Sequence, residues 1–144
     1  MRKVELRASF GDLTLVRHGA QTDRDLEQLW RRILFNVCVS NVDDHMRNHG
    51  FLLTPAGWVL SPAHDMNPEP MGDGLKLNIS ESENAQDLDL VMEVAPYFRL
   101  SPERAEAVMA EVTGVVKEWR LAASKLGITR AEIEDLAQAF RLIQ

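Results

Sequence analysis

Apolar residues recur at Leu26, Leu29, Trp30, Ile33, Leu34, Val37 and Cys38, the three-and-four spacing of a helix with one buried face. Thr22-Asp23-Arg24-Asp25 ahead of them reads as a capping-box-like start, the first helix signal in the chain. The helix is expected to run to about Ser40. The pattern then changes. Phe51-Leu52-Leu53-Thr54 and Trp58-Val59-Leu60 flank Pro55-Ala56-Gly57, which predicts a β-hairpin over about 51–60. Residues 61–85 are rich in Pro, Gly, Asn and Ser, the chemistry of a loop, with Leu75-Lys76-Leu77-Asn78-Ile79 alternating as in a short strand. Helical spacing returns near Asp87 to Ala95 and is expected to close at Pro96. Ser101-Pro102-Glu103 combines an N-cap, a first-turn Pro and an acid, and starts a stripe of Ala105, Val108, Met109, Val112, Val116, Trp119, Ala122 and Leu126, with Gly127 as the stop. Thr129-Arg130-Ala131-Glu132 is a capping box before Ile133, Leu136, Ala137, Phe140 and Ile143. The expectation is a mainly α fold with one small hairpin, a single domain over 1–144.

A length of 144 residues suits one domain, and 45% hydrophobic with 26% charged residues is a globular balance. No apolar run approaches the ~18 residues a membrane span needs, and no apolar stretch follows the basic residues at the start, so neither a membrane segment nor a signal peptide is expected. The single cysteine, Cys38, lies in the first helical stripe. A buried structural thiol and a cytoplasmic location are the expectations. Charge is uneven. Residues 36–98 carry 10 acidic against 2 basic side chains, a net −8, whereas residues 1–35 carry +2 and residues 99–144 are neutral. An acidic centre argues against gripping nucleic-acid phosphates and suits a hard cation such as Mg²⁺. Most of these charges also read simply as solvated surface.

Chemistry concentrates in Asn41-Val42-Asp43-Asp44-His45-Met46-Arg47-Asn48-His49, between a helix and a hairpin. Asp43 and Asn48 have the Asp-x4-Asn spacing of a kinase catalytic loop, in which the Asp accepts the proton of the attacking hydroxyl and the Asn ligates Mg²⁺. A kinase needs a further acid beyond a hairpin that returns the chain, and Asp65 stands there. Read as plain structure, Asp43 or Asp44 caps or turns the chain after the helix and Asn48 is a turn residue. A metal-dependent phosphohydrolase is a further reading, with His45, His49, the His64-Asp65 pair and Asp87 as ligands. It wants the His-Asp pair on a helix, and Pro62 and Pro68 leave little room for one.

The run from Phe35 to Pro70 resembles the C-terminal kinase lobe of the HipA-like family, the serine/threonine kinases of bacterial toxin–antitoxin modules. Asp43, His45, Arg47 and Asn48 match that family's Asp-x-His-x-(Lys/Arg)-Asn loop. Pro62-Ala63-His64-Asp65 matches its Pro-x-Tyr-Asp metal motif, with His64 where Tyr is usual, and the stretch Val94 to Ser101 is similar too. The resemblance implies a helical lobe of a protein-kinase-like fold. It implies Asp43 as catalytic base, Asn48 and Asp65 as Mg²⁺ ligands, and His45 and Arg47 as supports of the loop or of phosphate charge. ATP and Mg²⁺ are the implied cofactors, a protein bearing Ser or Thr the implied substrate, and an antitoxin the implied partner, with no direct nucleic-acid contact. A working kinase also needs a Gly-rich loop and a strand lysine before the catalytic loop, where only Gly11, Gly19 and Lys3 occur. The chain is therefore expected to be a C-terminal lobe without its ATP-binding lobe, inactive alone or a non-catalytic partner-binding remnant, with an exposed apolar face that favours self-association.

Overall fold

The computed structural model describes residues 10–41, 49–71 and 88–143. Among them the fold is mainly helical with one two-stranded antiparallel hairpin. The elements are α1 (Phe10–Arg17), α2 (Thr22–Cys38), β1 (Phe51–Thr54), β2 (Gly57–Leu60), α3 (Leu88–Val94), α4 (Pro102–Lys117), α5 (Trp119–Lys125) and α6 (Arg130–Leu136), with 3-10 segments at Ala95–Phe98 and Ala137–Ile143. The alternating segment 75–79 lies outside the described residues.

Helix α2 is the centre. All seven stripe residues from Leu26 to Cys38 are buried. They meet Val91, Val94, Phe98, Ala105, Val108, Phe140 and Ile143 in one core. The indole of Trp30, fully buried, donates to the Val91 carbonyl at 3.0 Å, which satisfies its one polar atom. Thr22 is not the cap the sequence suggested. Gln21 occupies the N-cap, and the Thr22 hydroxyl bonds back to the Val16 carbonyl at 3.1 Å. That bond staples α2 to α1, an eight-residue helix with no sequence signal of its own. Of its residues 14–17 only Val16 is buried, so tertiary contact rather than amphipathicity specifies it. Gly19 follows because the chain passes close to β2: Ala20 N–H donates to the Trp58 carbonyl at 2.7 Å, and a Cβ on Gly19 would stand 2.8 Å from that oxygen.

At its other end α2 closes in a Schellman turn. Ser40 takes the left-handed conformation (φ 55°), and Asn41 N–H donates to the Asn36 carbonyl at 2.8 Å. The Ser40 hydroxyl donates to the Ala139 carbonyl at 2.7 Å and accepts from Arg141, so the C-terminal 3-10 segment braces this corner.

The hairpin pairs Phe51 with Leu60 and Thr54 with Gly57. Its base is anchored, with Leu60 buried, while Leu52, Leu53 and Trp58 are 52%, 68% and 49% exposed. The late helices follow the sequence with one correction. The α-helix near 87–95 closes ahead of Pro96 as expected, at Val94, and Pro96 sits in the first turn of a 3-10 segment that follows. The long stripe from Ala105 is broken at Glu118 into α4 and α5, and the break shifts the phase: Ala123 is buried instead of Ala122, and Leu126 is 81% exposed. Trp119, at the break, stacks on Phe140 with ring centroids 4.0 Å apart. Both helix starts, Ser101 before α4 and the Thr129–Glu132 capping box before α6, form as the sequence predicted.

Candidate active site

Asp43, His45, Arg47 and Asn48 lie in residues 42–48, outside the described residues. The chain on both sides of that loop is described, and both sides are tied to the stretch that follows the hairpin. On the near side, Asn41 Nδ2 donates to the Asp65 carbonyl at 3.1 Å. On the far side, Ser61 N–H donates to the Gly50 carbonyl at 2.8 Å, one step beyond the ladder of β1 and β2. Further along, Glu69 N–H donates to the Val39 carbonyl at 3.3 Å. Residues 61–69 therefore run beside both feet of the loop, and Asp65 lies against the residue two positions ahead of Asp43. Residues 61–69 form no helix, the segment the phosphohydrolase reading needed in helical form.

Asp65 is exposed and adopts a left-handed backbone (φ 57°), a conformation Asp tolerates better than most residues. Its Oδ1 accepts from Asn67 Nδ2 at 3.1 Å. Oδ2 has no hydrogen-bond partner among the described residues. His64, in the position where the family motif has Tyr, is exposed, whereas His49 is buried. Among the described residues no three His, Cys, Asp or Glu side chains gather as a metal cage. A solvent-facing carboxylate with an open oxygen nevertheless fits a Mg²⁺ site that takes one or two protein oxygens and completes its shell with phosphate and water.

Three buried polar residues of α2 build this frame, and the sequence reading passed over them. The Asp25 carboxylate accepts Leu60 N–H at 2.9 Å. Arg32 Nη2 donates to the Ser61 carbonyl. Asn36 Oδ1 accepts from Asn41 Nδ2 at 3.1 Å. Positions 25, 32 and 36 recur at spacings of seven and four, so they share one helix face. Polar residues recurring on one face beside the apolar stripe were the available signal. A separate network joins α2 to α4: Glu27 accepts from Arg104 at 2.6 Å and from Arg31 at 3.2 Å, and Arg31 reaches Glu111 at 2.9 Å. Arg104 first, and then Arg31, hold the Glu27 carboxyl below its ordinary value.

Residues 6–119 match the family model of the HipA-like C-terminal domain. No curated protein and no solved structure matches the chain.

Proposed function

This chain belongs to the HipA-like C-terminal domain family, and on that premise we propose that it is the catalytic lobe of a serine/threonine protein kinase. Asp43 is the general base. Its carboxylate accepts the proton of a substrate Ser or Thr hydroxyl as that oxygen attacks the γ-phosphorus of ATP and ADP leaves. Asn48 and Asp65 hold Mg²⁺, which when bound neutralises charge on the phosphates. His45 and Arg47 support the loop and the charge of the transferred group. The observation that carries this reading is the pairing of both feet of the 42–48 loop with residues 61–65, through Asn41 to Asp65 and Gly50 to Ser61. The pairing sets Asp65 beside the residue two positions ahead of Asp43, and that proximity supports the reading.

The sequence before Asp43 offers neither a Gly-rich loop nor a strand lysine, so the parts that hold the α- and β-phosphates come from a separate ATP-binding lobe. A protein substrate and an antitoxin partner follow from the same family premise. The test is radiolabelled phosphate transfer by this chain, alone and mixed with the N-terminal half of a full-length HipA-like kinase. Transfer is expected only in the mixture, and D43N should lower it by about 10²-fold or more, the contribution of a general base. Transfer that survives D43N overturns the assignment. Nucleotide binding without transfer in the mixture identifies the chain as a non-catalytic partner-binding module.

A further inference from the structure

We propose that Asn41 is a positioning residue for Asp65, its carboxamide fixing the backbone of the acidic metal ligand to the end of α2. The inference rests on the kinase reading above and adds a residue to its machinery. Asn41 is 3% exposed and sits at the end of the Schellman turn that closes α2. Two bonds fix it to one residue of that helix: its backbone N–H donates to the Asn36 carbonyl, and its Nδ2 donates to Asn36 Oδ1. The orientation of the carboxamide is thereby set. The same Nδ2 reaches the Asp65 carbonyl at 3.1 Å, so both hydrogens of the amide are used.

Asp65 needs such an anchor. Its side chain is exposed, so packing does not hold it, and its backbone is in the left-handed region, which residues with a Cβ visit as single, locally held positions. Among the described residues, the chain from 63 to 68 has one hydrogen bond to the rest of the fold, and it is this one. The bonds of Ser61 and Glu69 hold the two ends of that stretch. Only a residue with two donor hydrogens on one atom serves both acceptors. A Leu at 41 keeps the shape and offers none; a Ser offers one, on a shorter arm.

The test uses Mn²⁺ as probe for the metal. Paramagnetic broadening of the Asp65 amide is followed by NMR as Mn²⁺ is added to the wild-type chain, N41L, N41S and V116A. Val116 is a core position on α4 far along the chain from the site, and V116A serves as a control for general destabilisation. In the wild type, broadening should centre on Asp65. In N41L its midpoint should rise about tenfold, the usual effect of losing a group that orients a ligand. N41S should rise less and keeps the test open if N41L does not fold, and V116A should match the wild type. In the reconstituted kinase N41L should raise the Mg²⁺ concentration for half-maximal transfer and leave KM for the protein substrate unchanged. Wild-type midpoints in N41L and N41S overturn the positioning role and leave the metal assignment standing. No broadening at Asp65 in the wild type overturns both.

Discussion

Cys38 lies in the last turn of α2 with no exposed surface, and desolvation pushes its thiol up to about 11. At pH 8 such a thiol holds about 0.1% thiolate, and thiolate is the reactive form. Native protein should resist iodoacetamide for hours and label stoichiometrically in denaturant; rapid native labelling would contradict the burial. The sequence disclosed this residue correctly, because a Cys in a helical apolar stripe has few other fates. It did not disclose Asn41, Asp25 or Arg32, since a polar residue's partner is a point of backbone that only the folded chain brings near. Asp65 stood out in the sequence by its motif and its place after a hairpin; that its carbonyl accepts from Asn41 could not be read there. The Asp25 bond to Leu60 N–H can be weighed. D25A strands a buried donor and should cost about 1–3 kcal/mol in urea unfolding. D25N, which retains an acceptor oxygen, should cost less. Equal losses in the two would show that the hydrogen bond is not what Asp25 contributes.

Among elements, those with a local chemical start were readable and those made by contact were not. The Thr129 hydroxyl accepts Glu132 N–H while Glu132 Oε2 accepts Thr129 N–H, a reciprocal pair written in four consecutive residues. T129A should lower stability by about 1 kcal/mol, read from the thermal midpoint. The break at Glu118 was unreadable because helical residues lie on both sides of it; the stack of Trp119 on Phe140, far apart in sequence, accompanies the change of phase. The joint between α2 and α4 carries a pH dependence with a defined sign. Arg104 and Arg31 lower the Glu27 pKa from 4.5, so the folded state favours the ionised carboxylate. Its contribution is complete above the unfolded value near 4.5 and is lost as pH falls through the lower folded value. Urea midpoints of the wild type should therefore fall more steeply than those of E27Q as pH drops below 4.5. Parallel curves would show that the network does not couple to folding.

At the scale of the whole molecule, the fold hangs a soft hairpin from a hard axis. Helix α2 touches α1, α3, α4, the hairpin and both 3-10 segments, and among the described elements no other has that reach. Its interior amides can exchange only when the shared core opens, which is nearly global unfolding. The hairpin differs along its length. At the base, Leu60 N–H is bonded to buried Asp25 and Ser61 N–H to Gly50, and Arg32 holds the Ser61 carbonyl. At the tip, Leu53 and Trp58 stand largely in solvent and lend the ladder little apolar cover. Hydrogen exchange should therefore be slowest at Leu29 to Val37, intermediate at Leu60 and Ser61, and fastest in the strand residues next to the turn. Uniform protection along both strands would mean that the hairpin opens with the core as one unit. The expected gradient matters for the site. Asp65 lies just past the anchored base, on the side of Leu60 and Ser61 away from the exposed tip. A stretch without regular structure can then keep a carboxylate in place, provided the bonds from Asp25, Arg32 and Asn41 all reach back to the same helix face.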